Sequence, residues 1–338
     1  MSQRAESDSA RSTLLLTDQD VSATADWNAA IDALRRAYAA TVSAQSVPPR
    51  SMARAPGVWL RSLTAISPLE GYLGCKLIAA STRARRASYL ICLFDRETMN
   101  LDALIDGGQV TGIRTAATAA VAVDALAPQQ RLRIAVLGSG FEARAHLTAL
   151  AAVREVSDAR VFSPTSDNRE HFAEHFRTTL KLSVQAAMTP EDAIAGADVV
   201  VCAARARNES PVLLGRWLEP GMTVVSIGST LPEQREVDVN VVERAQLIVA
   251  DMPDEVSHDT GDMLAAKDSG VDFMHKLAPL SDVIAQRRAA RTSAQDIVLY
   301  KSVGSALQDV VIAEMLLARA RASGIGTVLP VSISPVAK

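Results

Sequence analysis

The chain has 338 residues, 48% of them hydrophobic and 22% charged, with a formal net charge of −3 at pH 7. Length and composition allow two globular domains of ordinary size, and the slight acidity argues against a general nucleic-acid binder, which carries a basic excess. No apolar run reaches membrane-spanning length, and the polar start at 1–9 lacks the hydrophobic stretch of a secretory leader, so the expectation is a cytoplasmic protein with no membrane partner and a frayed N-terminus.

Past a frayed segment ending near Ser12, Thr13-Leu-Leu-Leu16 reads as a short strand and Thr17-Asp-Gln-Asp20 as a turn. From about 25 to 44 the positions Trp27, Ala30, Ile31, Leu34, Tyr38 and Val42 recur at helical spacing, with Arg35 and Arg36 on the other side, which predicts an amphipathic helix. Val47-Pro-Pro-Arg50 ends it, because paired prolines favour extended backbone. Short runs at 58–61, 75–79 and 89–94 read as strands of a mixed or antiparallel sheet. Asp95-Arg-Glu-Thr98 is a turn leading into Asn100-Leu-Asp-Ala-Leu-Ile105, and Asp106-Gly-Gly108 is a stronger turn signal. The alanine- and threonine-rich stretch from 111 to about 126 reads as a closely packed helix. Cys75, Cys92 and Cys202 are widely spaced in apolar sequence and form no Cys-x-x-Cys pair, the pattern of reduced core residues rather than of disulfides or a metal site.

The stretch Arg131-Leu-Arg-Ile-Ala-Val-Leu-Gly-Ser-Gly-Phe-Glu-Ala143 reads as a buried strand running into a glycine-rich turn and a helix. Gly138 and Gly140 permit the tight turn and the close approach of backbone N–H groups to a pyrophosphate, and the helix from Phe141 offers that anion its N-terminus. Ala143 takes the third glycine position, where a small side chain suffices for helix–strand packing. Strand candidates follow at 159–163, 182–186, 198–202, 223–227 and 247–250, each separated by helical or loop sequence. With 134–137 they make six, the number in a doubly wound dinucleotide-binding (Rossmann) domain, and this repetition lifts the glycine motif above chance. After Asp251 the chain turns irregular, with a short helix near 277–287, a short apolar run at Ile297-Val-Leu299 and a last helix from about 303 to 321. The reading is α/β: a doubly wound Rossmann domain at 129–299, and a discontinuous α+β substrate-binding and dimerisation domain at 1–128 and 300–338.

The chain resembles the ornithine cyclodeaminase and mu-crystallin family in Asp106-Gly-Gly-Gln-Val-Thr-Gly-Ile-Arg-Thr-Ala-Ala117, Gly138-Ser-Gly-Phe-Glu-Ala143 and Gly196-Ala-Asp-Val-Val200. It does so again in Trp217-Leu-Glu-Pro-Gly221, Ile227-Gly-Ser-Thr-Leu-Pro-Glu-Gln-Arg-Glu236 and Lys301-Ser-Val-Gly304, all in the family's order. The resemblance implies a cleft in which an amino or imino acid lies against a nicotinamide ring. By position it implies that Arg50, Lys76 and Arg114 bind the substrate carboxylate or assist proton movement, with Arg54 an alternative to Arg50. Chemically, a planar guanidinium suits a carboxylate and a strand lysine is a point charge of tunable pKa, although Lys76 alone also reads as an edge-strand lysine pointing at water. The expected cofactor contacts are Thr115, Gly138, Ser139, Gly140, Phe141, Glu142, Ser163, Thr165, Arg169, Ala203, Gly228 and Ser229. A homodimer through the N-terminal sheet is implied in the same way.

In cyclodeaminases of the family the loop after the fifth Rossmann strand carries an aspartate, where this chain has Gly228-Ser-Thr230. A threonine hydroxyl hydrogen-bonds an amine but is no general base near neutral pH, so Thr230 lowers the cyclodeaminase reading, with Glu233 and Asp238 left open as substitutes. The expectation is an NAD(P)H-dependent oxidoreductase that reduces the C=N bond of a small imino acid, or oxidises the matching amino acid. A cyclodeaminase using bound NAD and a non-catalytic NADPH-binding protein of the crystallin type are the rivals. Val161-Phe-Ser-Pro-Thr-Ser-Asp-Asn-Arg169 has no acid at the end of the second Rossmann strand to grip the ribose hydroxyls of NADH, which leans towards NADPH. The alternative is that these residues only cap the next helix, a role suited to Ser166. His171-Phe-Ala-Glu-His175 matches a zinc-peptidase pattern but falls at the adenosine end and reads as a solvated helix face.

Overall fold

A computed structural model of the chain describes residues 12–330 apart from Glu70, together with 333, 335 and 336, so the polar start at 1–11 lies outside the described residues. The elements in order are β1 (Leu14–Leu16), α1 (Asp18–Thr24), α2 (Trp27–Ala39), β2 (Ser51–Ala55), β3 (Val58–Ile66), β4 (Tyr72–Ser81), β5 (Arg86–Asp95), β6 (Leu101–Asp106) and α3 (Gly107–Leu126). Then come β7 (Leu132–Leu137), α4 (Phe141–Val153), β8 (Val156–Phe162), α5 (Ser166–Thr179), β9 (Val184–Ala186), α6 (Pro190–Ile194), β10 (Val199–Cys202), β11 (Thr223–Ser226) and α7 (Val239–Arg244). The chain continues through β12 (Leu247–Ala250), α8 (Pro253–Asp259), α9 (Gly261–Asp268), β13 (Leu277–Pro279), α10 (Leu280–Ile284), β14 (Val298–Lys301), α11 (Ala306–Ser323) and β15 (Thr327–Val328).

It divides into two compact units. Among the described residues the first is drawn from 12–37, 41–114 and 305–330, the second from Tyr38–Ala40 and Thr115–Gly304.

In the first unit seven strands run in the order β15-β1-β6-β5-β4-β3-β2, with β2 to β6 joined antiparallel. The period-2 alternation of β4 buries Gly74, Lys76 and Ile78 and leaves Cys75 and Leu77 partly exposed on the other face. Helix α11 packs on β3, β4 and β5 through a stripe that includes Leu307, Val310, Val311 and Leu317. The edge strand β2 has no counterpart in the sequence reading, because exposed Ser-Met-Ala-Arg-Ala carries no alternating apolar signal. Two expected turns are helix starts instead. Thr17 and Asp20 form a reciprocal capping box that opens α1. The Asp106 carboxylate accepts the N–H of Gly108 (2.8 Å), so α3 begins at once after β6.

The second unit holds an eight-stranded sheet, β13-β12-β14-β11-β10-β7-β8-β9, all parallel. Its order reverses between β7 and β10, where a doubly wound sheet opens a crevice at the carboxyl ends of its strands. The expected count of six rises to eight. Residues 277–279, expected as helix, pair with β12, and the apolar run after Asp296 becomes β14, inserted between β11 and β12. Four-residue strands that are buried throughout, such as β10, β11 and β12, lack alternation because both faces are covered. Beyond β14 the Asp251 carboxylate accepts from the Ser302 hydroxyl (2.6 Å) and from the N–H groups of Val303 (3.0 Å) and Gly304 (2.8 Å), which fixes the chain's exit from the sheet. No helix of the described residues is long and apolar enough to cross a membrane.

Candidate active site

Lys76 sits at the centre of the first unit's chemistry. Far from pointing at water, it is 1% exposed, and its Nζ lies 2.7 Å from Oδ1 of Asp309, whose side chain is fully buried in the first turn of α11. Nζ also donates to Thr111 Oγ1 at 3.4 Å. The Arg114 guanidinium closes on the same oxygen (Nε to Oδ1, 3.3 Å) and donates from Nη1 to Gln308 Oε1 at 2.9 Å. The other Asp309 oxygen, Oδ2, has no hydrogen-bond partner among the described residues.

Burial pushes the Lys76 ammonium down from 10.5 to about 8. The pull of Asp309 opposes this, and the nearby Arg114 and Arg61 guanidiniums add to it. Desolvating two charged groups costs several kcal/mol each, of which their mutual attraction returns only part. Stability alone would therefore favour apolar residues here, which makes the pair a candidate for chemistry.

In the second unit the glycine turn has the features a pyrophosphate requires. Gly138 lies at φ +120°, and a Cβ there would come within 2.7 Å of the Ala203 carbonyl oxygen, so only glycine fits. Gly140 caps α4 with no side-chain hydrogen bond and with nothing within 4 Å of where its Cβ would be. Gly140 therefore leaves open space at the start of the helix. Buried Ala143 fills the third position of the motif. Ser139 and Glu142 are partly exposed and Phe141 is 56% exposed at the mouth of this turn. Thr115 is buried and Ala203 half-buried, the latter directly after β10.

At the end of β8 the buried Ser163 is followed by exposed Thr165 and Ser166. Thr165, not Ser166, is the N-cap of α5, and it makes no side-chain capping bond. Arg169 is buried beneath them. Its Nη1 donates to the Ser163 carbonyl oxygen (3.0 Å) and its Nη2 contacts Met188 Sδ (3.5 Å), while Nε has no partner among the described residues.

The loop after β11 is tied down residue by residue. Gly228 N donates to Glu236 Oε2 (2.8 Å), Ser229 Oγ to the Gln234 carbonyl oxygen (2.6 Å), and both Thr230 N (2.9 Å) and Thr230 Oγ1 (3.2 Å) to Gln234 Oε1. The two acids left open as substitutes for the missing aspartate differ in their surroundings. Glu233 is exposed, and Asp238 caps α7, accepting from Val241 N (3.1 Å) and Gly215 N (2.8 Å). The acid against this loop is Glu236, fully buried, its carboxyl raised to about 7 by burial.

Of the cations expected from the sequence, the fold brings Lys76 and Arg114 together. Arg50 stands half-buried just before β2, whereas Arg54 is exposed within β2 and turns its Nε onto Met52 Sδ (2.8 Å). Arg61, stacked on Trp59 at 5.1 Å, joins the field around Lys76. Asp309, Gln308 and Thr111 escaped the sequence reading. Gln308 and Asp309 are a polar pair just ahead of the apolar run Val310-Val-Ile-Ala313, and an acid in a first turn reads as a dipole partner rather than a lysine's counter-ion. His171 and His175 are both exposed on α5. Of the cysteines only Cys202 is a core residue; Cys75 and Cys92 are half-buried and stand opposite each other across β4 and β5.

A doubly wound parallel sheet with a glycine turn shaped for a pyrophosphate, together with a buried lysine–aspartate–arginine cluster, defines an NAD(P)-dependent oxidoreductase. The chain belongs to the ornithine cyclodeaminase/mu-crystallin family, whose model matches residues 12–324. It is 29% identical to the mouse ketimine reductase mu-crystallin over 263 residues, 76% of this chain and 79% of that one. It is 26% identical to a Δ1-pyrroline-2-carboxylate reductase of Bacillus cereus over 238 residues, covering 70% and 72% of the two chains. Among solved structures, the Thermococcus litoralis Δ1-pyrroline-2-carboxylate reductase in complex with NADH and L-proline superposes with a TM-score of 0.85 at 25% identity, covering 93% of this chain and 99% of that one.

Proposed function

We propose that this protein reduces the C=N bond of a small imino acid to the corresponding amino acid. The observation that carries the reading is the burial of Lys76 against Asp309 and Arg114, two cations around one carboxylate, in a chain whose relatives include imino acid reductases. Arg114 and Lys76 bind the acid group, with Arg50 as the third cation, and Asp309 orients both. Lys76, poised near pH 8, keeps a proton at hand for the substrate nitrogen. Gly138, Ser139, Gly140, Phe141 and Glu142 would hold the nucleotide's pyrophosphate, and Gly228, Ser229 and Thr230 its nicotinamide end. When bound, the reduced nicotinamide supplies the hydride. Thr230 replaces a carboxylate that amine elimination needs, which favours reduction over cyclodeamination.

The preferred nucleotide in this reading is NADPH. Exposed Thr165 and Ser166 hydroxyls and the uncapped start of α5 suit a 2′-phosphate, and buried Arg169 adds positive charge from below, against the exposed Asp167 carboxylate in the same turn. A homodimer belongs to the same reading. Val58, Leu60 and Leu90 are 49%, 48% and 38% exposed on the first unit's sheet, where Ala53, Leu60 and Ala79 line a groove of about 550 Å³.

The test is consumption of NADPH and NADH, followed by absorbance, with a panel of cyclic and linear imino acids. Stoichiometric formation of an amino acid is the expected result. Tight nucleotide binding with no turnover across the panel would overturn the reading in favour of a binding protein. Ammonia release from ornithine without net nucleotide change would replace it with a cyclodeaminase.

A further inference from the structure

Three ionisable side chains, Lys301, Asp262 and Glu236, are fully buried in the second unit, remote in sequence and joined at the carboxyl ends of β11 and β14. Lys301 Nζ donates to Ser226 Oγ (2.8 Å) and to Asp262 Oδ2 (2.9 Å). The Ser226 hydroxyl, filled on its acceptor side by that ammonium, donates to Glu236 Oε2 at 2.6 Å. Asp262 Oδ1 accepts the N–H groups of Glu236 (2.8 Å) and Val237 (3.2 Å) and lies 3.4 Å from Arg235 Nε. The chain of contacts ends on Gly228 N, which donates to the same Glu236 oxygen at 2.8 Å. Glu236 Oε1 has no partner among the described residues and sits 2.4 Å from where a Cβ on residue 228 would be. Glycine at 228 therefore lets the carboxyl press directly under the loop backbone.

A buried triad of this kind is costly, and well-packed apolar residues would be at least as stable. Its orientation suggests a task, since the bonds that run from Lys301 through Ser226 and Glu236 end on Gly228, the first residue of the loop at 228–230. We infer that Glu236 is a positioning residue, its carboxylate, steadied by Lys301 through Ser226, holding Gly228–Thr230 in the shape that meets the nicotinamide nucleotide. The inference rests on the proposed contact of that loop with the nucleotide. The ionised carboxylate makes charge-assisted bonds to Ser226 and Gly228, and its protonation weakens the grip on Gly228.

The charged and titratable groups facing Glu236 are Lys301 from β14, Asp262 from α9 and Cys202 from β10, with Arg235 beside it in the chain and Arg205 packed against Gly228. Burial holds the Cys202 thiol well above its ordinary value, so it stays protonated. Lys301 and Asp262 neutralise each other. That leaves Glu236, raised to about 7, to change charge in the neutral range.

The test compares the full chain with its Glu236→Gln variant. Nucleotide Kd is measured by fluorescence titration with NADPH and NADH across the neutral range. In the unsubstituted protein affinity falls by about tenfold as pH drops through about 7, as a charged hydrogen bond becomes a neutral one. The variant binds weakly with no such step. Infrared difference spectra of the two proteins read the carboxylic acid band of Glu236 directly, and a band that grows in near neutrality needs no activity to be seen. Equal, pH-independent affinities in both proteins, or a Glu236 carboxyl ionised at every pH tested, would overturn the inference and leave the reductase reading standing. Failure of the unsubstituted protein to bind either nucleotide would instead sink the reading on which it rests. Should the variant not fold, the pH dependence of Kd and of the acid band in the unsubstituted protein still decides.

Discussion

Lys76 Nζ and Asp309 Oδ1 lie 2.7 Å apart although 233 positions separate them in the chain, and neither side chain reaches solvent. The sheet of the first unit supplies one and the C-terminal helix the other, so the pair exists only when both ends of the polypeptide have come together. Asp309→Asn removes the charge that holds Lys76 and Arg114. With two cations left facing each other, stability drops by about 3–5 kcal/mol, the cost of breaking a buried pair, measured by chemical denaturation. Lys76→Met, which buries an apolar chain of similar length, keeps the fold but lowers kcat/KM for the imino acid by about 10²-fold or more.

The lowered Lys76 value gives a pH signature. Below about 8 the ammonium is protonated in both folded and unfolded chains, and its burial penalty is fully present. Between about 8 and 10.5 the unfolded chain binds a proton the folded one has released, so this group's contribution to stability rises with pH across that window. Carboxylate affinity runs the other way, because a neutral amine holds an acid group poorly. KM for the imino acid increases as pH passes about 8, and Lys76→Arg, whose guanidinium stays charged, flattens the curve.

Gly138→Ala tests the nucleotide turn. A Cβ at φ +120° and 2.7 Å from the Ala203 carbonyl forces the backbone apart. The expected cost is about 1–3 kcal/mol of strain, seen as a lower Tm, together with a loss of affinity for both nucleotides in calorimetric titration. Gly140→Ala, with open space around its Cβ, leaves Tm nearly unchanged and weakens nucleotide binding only.

Arg169→Ala tests nucleotide choice. Removing the buried guanidinium frees the Ser163 carbonyl oxygen and strips positive charge from beneath Thr165 and Ser166. Kd for NADPH rises by about tenfold or more, the equivalent of one charged contact, while Kd for NADH moves little. Equal losses for both nucleotides would assign Arg169 to loop structure alone.

Much of this was legible in the residues themselves. The glycine turn at Gly138 and the parallel strands that follow it announce themselves through local pattern, whereas Lys76 stands out only through the family resemblance and alone reads as a strand lysine facing water. Asp309 does not stand out at all, because a counter-ion on another element leaves no mark on the spacing around either partner. The same holds for Glu236, which stands three residues past Glu233 in a polar loop and shows its burial only when β11, β14 and α9 converge on it. At 17–20 and 106–108 the error lay in turn chemistry. Threonine and aspartate that end a strand also cap a helix, and the residues beyond the cap decide between the two. Strand β14 was seen as a short apolar run, but nothing local fixes which neighbours a strand takes.

That late strand governs how the protein is made. Because Val298–Lys301 lies between Thr223–Ser226 and Leu247–Ala250, a nascent chain that has exposed everything up to residue 290 has laid down both flanking strands with a gap between them. Their backbone edges are then open to water, or to another polypeptide. The sheet of the second unit is completed only when residue 301 has joined it, after every other strand of that sheet has been made, so its assembly waits for its last strand in chain order.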